Sequence, residues 1–344
     1  MGSHLWLLAE EPNPVRPLAQ ALFQEGFAGV SFFFMLSGFI LVHTYGPRLR
    51  DGSISRARYL ALRVARIAPL HWVLAVPLGV VALVRGAAWG PVLANWALVQ
   101  SWVPSSAWYF SLVGPSWSLS DEAFFYTAFA GLVLLSRRAL GWLGVAMIAA
   151  DVAMVAGLML GGRGAVAVGD AQTLTYWLIY ILPVTRLTEF VIGMWIRGLS
   201  GLWARLWRPT VLEVGVVVLL AGAMVGCRLG GVPDAVRFQL AYMPFMALVL
   251  RVYAAGQGAV SRWLARRRWL VLLGDASFAL YLIHLPVIQF VSQRWENMDD
   301  QPPVLLVALG LVVGCVGLSV VVYRLVEVPL LRIVRREVER IFAR

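Results

Sequence analysis

The chain has 344 residues, of which 60% are hydrophobic and 14% charged, and its mean hydropathy is +0.77. A water-soluble domain cannot cover that much apolar surface with so few polar groups, whereas spanning helices face hydrocarbon at no cost. Composition therefore excludes a soluble globular fold and indicates an all-α polytopic bundle in a lipid bilayer. All 29 basic residues are arginine and the net charge is +11; in a membrane chain this is the arginine excess of cytoplasmic loops, so no nucleic-acid partner is expected.

Apolar runs of about 20 residues, long enough to cross a hydrocarbon core, fall near 27–46, 64–84, 116–136, 139–160, 176–197, 209–229, 237–254, 270–291 and 303–325. They predict nine spans in a single domain over 1–344, with no internal repeat. Residues 85–115 carry Trp89, Trp96, Trp102, Trp108 and Tyr109 among Pro and Gly, the composition of an interfacial or re-entrant loop. Arginines concentrate on alternate loops, at 47–63, 137–138, 197–208 and 262–268 and in the tail, which places those segments and the C-terminus in the cytoplasm of a bacterial inner-membrane protein. That orientation leaves residues 5–26 outside without a preceding span, so a truncated first helix, and ten helices in a full-length protein, are expected.

Ionisable residues inside spans are costly and point to function. In chain order, Phe32-Phe33-Phe34-Met35-Leu36-Ser37-Gly38-Phe39 couples bulky rings to a small Ser-Gly pair that lets another backbone approach closely. Arg63 and Arg66, in Arg63-Val64-Ala65-Arg66-Ile67-Ala68-Pro69, are three apart at the mouth of the second span; they form either a cationic fork for a phosphate or a positive-inside anchor. Trp117-Ser118-Leu119-Ser120-Asp121-Glu122 opens the third span, with Glu122 as a helix-start acid or a site residue. Arg186 and Glu189 lie mid-span at a spacing of three, as an internal ion pair or a substrate contact. Tyr281-Leu282-Ile283-His284-Leu285-Pro286 sets a phenol and an imidazole one turn apart, and Glu327-Val328-Pro329, beside Arg324 and Arg332, closes the last span. Cys227 and Cys315 lie in apolar stretches, and His4, His43, His71 and His284 are scattered, so neither a disulfide framework nor a metal site is expected.

The order FFFxLSGF, RxxRIxP, WSLSxE, RxxEF, YLIHxP and ExP over most of the chain resembles the membrane-bound acyltransferase-3 family. The resemblance implies a ten-helix fold that takes an acyl group, often acetyl, from cytoplasmic acyl-CoA, and passes it to a hydroxyl of a glycan, lipid-linked sugar, antibiotic or other small molecule. In the family a first-helix arginine is followed about ten residues later by a histidine regarded as the base. That arginine is absent here, and His4 falls where the histidine is expected, about 25 residues before Phe32; it is either that base or a residue left by cloning.

The expected mechanism has Arg63 and Arg66 holding the donor's phosphates, His4 deprotonating the acceptor, and Glu122 orienting His4 or the acceptor. Ser37, Ser118, Ser120 and Tyr281 are candidate donors to the developing oxyanion, and Trp117, Arg186, Glu189 and His284 are further candidate substrate contacts. No permanently bound cofactor is expected; acyl-CoA is the donor substrate. The rival reading, a transporter or flippase, predicts inverted repeats that the sequence does not display.

Overall fold

A computed structural model describes residues 25–164, 173–199, 207–298 and 301–343. Its described residues form helices and no strand. The helices are α1 (Ala28–Arg50), α2 (Arg56–Val84), α3 (Trp89–Trp96), α4 (Trp117–Leu132), α5 (Arg137–Leu160), α6 (Pro183–Gly198), α7 (Pro209–Leu229), α8 (Met243–Ala254), α9 (Ala259–Arg266), α10 (Arg268–Asp275), α11 (Ser277–Glu296), α12 (Val304–Val322) and α13 (Val328–Phe342). π-Helical turns at Trp177–Ile181, Arg237–Ala241 and Tyr323–Glu327 lead into α6, α8 and α13.

Among the described residues seven helical stretches are long and apolar enough to span, and the pair α10–α11, bent by 63°, makes an eighth if it crosses as one unit. The expected count of nine is not reached. Its third member, placed at 116–136, is α4, whose 16 residues fall short of the roughly 20 that a membrane needs. The shortfall arises because the polar run Gly114–Ser116 is a separate turn and the helix stops at Leu132, before Arg137. At the other end, α12 continues through the π-turn into α13 as one stretch of 39 residues, Val304–Phe342, far longer than a hydrocarbon core requires.

Side-chain caps explain where several helices begin. Ser55 accepts from Arg58 N at 3.1 Å and Ser136 from Ala139 N at 3.2 Å, each satisfying an N–H that the helix leaves unbonded. Glu213 of α7 accepts from Gly258, Val260 and Ser261 N at 3.0, 3.0 and 3.3 Å, so a buried carboxylate caps α9 and ties it to α7.

The bundle is organised around α6, which with its preceding turn is buried over most of its length, whereas α5 and α7 are mostly exposed on the outside of the bundle. Two glycines set the α1–α6 contact. Gly38 lies against the Phe190 carbonyl and Gly193 against that of Met35, so each helix presents its gap to the other's backbone. A methyl group at either position would overlap a main-chain oxygen that cannot swing aside. Gly193→Ala is therefore expected to cost about 3 kcal/mol, the upper end for overpacking, while Gly131→Ala in α4, with nothing within 4 Å, should be neutral or stabilising. Thermal unfolding in detergent checks both; equal melting temperatures would remove the glycine seam from the account.

Residues 85–115 fold back onto the start of α4 instead of spanning. Buried Asn95 and Gln100 both bond Ser116, from Asn95 Nδ2 to Oγ at 3.1 Å and from Gln100 Nε2 to the carbonyl at 2.9 Å. His71 Nε2 of α2 donates to the Asn95 carbonyl at 3.0 Å, fastening the same loop from the other side. Buried Tyr109, outside the spans, has its phenol pushed up to about 12 by burial and so stays a neutral hydroxyl at ordinary pH.

Candidate active site

The first turns of α4 deliver polar side chains to three neighbours. Ser118 Oγ lies 2.7 Å from the Tyr281 hydroxyl of α11, Ser120 Oγ receives the Ser101 hydroxyl at 2.7 Å, and Glu122 receives Ser37 Oγ of α1 at 2.8 Å. The second Glu122 oxygen accepts from the Tyr126 hydroxyl, one turn on, at 2.8 Å. Glu122 is 3% exposed, so its carboxylate is held by two hydroxyl donors away from bulk water, in one orientation. Trp117, beside them, sets its ring against those of Phe34 and Tyr180, with centroids 6.3 and 4.9 Å apart.

Arg63 extends this group. Its guanidinium lies 4.8 Å from the Tyr45 ring and 5.7 Å from that of Tyr126, and it donates to the Tyr45 hydroxyl at 3.1 Å. Arg63 thus stands one aromatic ring from Glu122, whose charge it complements. Arg66 does not share those partners: it pairs with Glu327 in the π-turn before α13 and lies 5.2 Å from the Phe278 ring. The expected fork is two separate cationic positions, because the Arg63 side chain turns toward α1 and α4 and that of Arg66 toward the C-terminal helices. Glu327 likewise reaches across to α2 instead of bonding its neighbours Arg324 and Arg332.

Arg186 and Glu189 form a second polar centre, with Nη1 2.9 Å from Oε1 and both side chains buried. Arg186 also donates to Ser31 Oγ at 2.7 Å and to the Phe238 carbonyl at 3.3 Å, and faces the Phe34 and Tyr180 rings at 5.5 and 5.3 Å. Some partners of these two arginines come from π-turns: Tyr180 and Phe238 for Arg186, Glu327 for Arg66. Such turns widen a helix and redirect a group that α-geometry would point elsewhere.

Tyr281 bonds the Pro115 carbonyl at 3.0 Å as well as Ser118. His284 Nδ1 lies 2.7 Å from the Tyr281 carbonyl and 3.2 Å from that of Leu280, so Nδ1 carries the proton and Nε2 the lone pair. The structure therefore brings together Ser37, Glu122 and Arg63 as one group, Ser118, Tyr281 and His284 as another, and Arg186 with Glu189 as a third. His4 lies outside the described residues.

Sequence reasoning gave no site role to several buried polar residues: Asp121, Tyr126, Asp151, His71 and Gln239. Neither Asp121 oxygen has a hydrogen-bond partner, although the side chain is fully buried. Asp151, the lone acid in α5, is buried beside Thr188 and Gln239. Its isolation in a 24-residue apolar span was a readable signal, as was the i,i+4 spacing of Glu122 and Tyr126.

Among the described residues no group of three or more His, Cys, Asp or Glu is placed to hold a metal ion, and Cys227 and Cys315 are free thiols.

Comparison with known proteins bears on this arrangement. The chain is 30% identical over 339 residues to acyltransferase MdmB of Streptomyces mycarofaciens, covering 90% of this chain and 82% of that one. It is 31% identical over 330 residues to the exopolysaccharide production protein ExoZ of Rhizobium meliloti, covering 90% and 91%. A 47-residue stretch is 46% identical to protein 2 in the picA locus of Rhizobium radiobacter, covering 14% and 25%. No solved structure matches. The acyltransferase-3 model, described as an acyltransferase domain, matches residues 1–324, and with its spanning helices and intramembrane polar centres the chain belongs to that family and is an integral-membrane acyltransferase.

Proposed function

We propose that the chain moves an acyl group, acetyl in the first instance, from acyl-CoA to a hydroxyl of a glycan or other small-molecule acceptor. It works as one acyltransferase unit in the bacterial cytoplasmic membrane with the C-terminus inside. The observation that carries the reading is Glu122, buried and held by Ser37 and Tyr126 one ring from Arg63. The glycan acceptor is supported by the name of one relative, an exopolysaccharide production protein. The orientation is supported by the arginines of the loop 51–55 flanks and of α13.

In this reaction a C–O bond forms to the acceptor, the C–S bond of the thioester breaks, and the hydroxyl proton ends on the departing thiolate. His4 takes the proton as general base. Glu122 orients the base or acceptor, and Ser37, Ser118, Ser120 and Tyr281 donate toward the oxygen that gains charge. Trp117, Arg186, Glu189 and His284 complete the substrate surroundings. Arg63 and Arg66 bind the donor's phosphates, which requires Arg66 to exchange Glu327 for a phosphate oxygen.

The test is thiol release from acetyl-CoA by purified protein with and without a hydroxylated acceptor. Acceptor-dependent release is expected; binding without turnover would sink the reading and return the transporter, for which neither the family nor the relatives provide support. For the donor site, Arg63→Gln and Arg66→Gln should each raise KM for acyl-CoA roughly tenfold, the worth of one charge-assisted hydrogen bond, with folded yield unchanged. An unchanged KM alongside reduced membrane insertion would make both residues helix anchors.

A further inference from the structure

The two arginines at the mouth of α2 meet different partners, and the difference bears on how a donor is held. Arg63 makes no salt bridge among the described residues; it donates to the Tyr45 hydroxyl at 3.1 Å and lies against that ring. Arg66 is already occupied by an anion. Its Nη1 donates to Oε1 of Glu327, a residue 261 positions away along the chain. A guanidinium grips carboxylate and phosphate oxygens with the same planar fork, so a carboxylate is the closest side-chain equivalent of a phosphate.

The pair is asymmetric. Glu327 is 4% exposed, whereas Arg66 keeps 34% of its side chain open. The carboxylate is therefore the fixed member, held in the Tyr323–Glu327 π-turn, and the guanidinium is the member that a solute can reach. Glu327 has no second cation: its chain neighbours Arg324 and Arg332 are exposed and form no salt bridge with it among the described residues. Its Oε2 is buried with no hydrogen-bond partner there either. Phe278, at the start of α11, backs the Arg66 guanidinium at 5.2 Å, and Asp275, exposed at the α10–α11 bend, lies within electrostatic reach of Glu327. A phosphate approaching Arg66 thus meets two carboxylates.

We propose that Glu327 sets the affinity of the donor site: its carboxylate stands on Arg66 where a donor phosphate would, and acyl-CoA gains that contact only by displacing it. The inference rests on the proposed donor role of Arg66 and adds a residue that works against binding. Such a competitor has a use. The thiol product carries the same phosphates as the thioester, so a site that gripped them with both arginines would hold the product as tightly as the donor. Return of Glu327 to Arg66 favours release, the step that limits turnover in many enzymes.

The test is equilibrium binding of CoA to the purified full chain in neutral detergent, which requires no acceptor. Arg66→Gln should weaken CoA binding about tenfold, whereas Glu327→Gln should tighten it roughly fivefold, the worth of a partly exposed ion pair. In the double variant Glu327→Gln should add nothing to Arg66→Gln, since the competition needs both members. Melting temperature separates this role from a structural one: Glu327→Gln weakens a tie between α2 and the α12–α13 junction, so tighter binding should come without a gain in stability. Weaker or unchanged CoA binding by Glu327→Gln, with Arg66→Gln impaired, would overturn the proposal and leave the donor role of Arg66 standing. CoA binding unaffected by Arg66→Gln would instead remove that donor role, and this inference with it. Should Glu327→Gln not fold, Glu327→Asp decides, because it draws the carboxylate back by one methylene and must also tighten CoA binding for the proposal to hold.

Discussion

His4→Ala should lower kcat for acyl transfer by about 10²-fold or more, the usual contribution of a general base, with acyl-CoA binding and folded yield intact. Attack by a neutral hydroxyl on a thioester near pH 7 needs a group that accepts a proton without first losing one, and imidazole does so with the least tuning by its surroundings. The chain offers four histidines. His43 is exposed and receives Arg197 at Nδ1, and His71 is buried in the lock on Asn95. His284 is the real competitor, because its Nδ1 proton is fixed on backbone carbonyls and its Nε2 lone pair is turned the other way, one turn from the Ser118–Tyr281 bond. Parallel assays of His4→Ala and His284→Ala separate the two: a fully active His4 variant beside a dead His284 variant would move the base to α11. Glu122→Gln should cost less, about tenfold, because an amide offers one acceptor end where the carboxylate offers two, so either Ser37 or Tyr126 must turn its proton elsewhere and accept from the amide instead.

Much of the fold was legible because lipid imposes a simple rule: apolar runs become helices, and seven of the nine runs give helices of spanning length, eight if the bent α10–α11 pair crosses as one. The exception, α4, was misjudged for length because hydropathy does not register that Gly114-Pro115-Ser116 forms its own turn. The small pair Ser37-Gly38 was readable as a close-packing seam, yet its partner Gly193 was not, since which helix meets which is decided by the whole bundle. Motif spacing singled out Glu122, Arg186 and Glu189, all buried. The direction of each side chain stayed hidden: Arg63 and Arg66, three positions apart on one helix face, part company once Tyr45 and Glu327 are in place. The π-turns that aim Tyr180, Phe238 and Glu327 have no hydropathy signature, so these partners of Arg186 and Arg66 were invisible until the backbone was in hand, whereas the Arg186–Glu189 pair was legible from its spacing.

Arg186→Leu should destabilise the protein by about 3–5 kcal/mol, the cost of leaving a buried counter-charge without its partner. Glu189 would be stranded in the bundle without its counter-charge. The double variant Arg186→Leu with Glu189→Leu removes both members of the pair, and replacing a buried ion pair by apolar residues of similar volume is often neutral. Its melting temperature should therefore return most of the way to that of the unaltered chain. Activity should not return with it. Arg186 has donors toward α1 and the Arg237–Ala241 turn as well as toward Glu189, an arrangement suited to meeting polar substrate groups within the bundle. Measuring melting temperature and kcat/KM on both single variants and the double completes the cycle. Recovery of stability with kcat/KM still depressed at least tenfold supports contact with the substrate, whereas recovery of both together would make Arg186 and Glu189 a structural pair and nothing more.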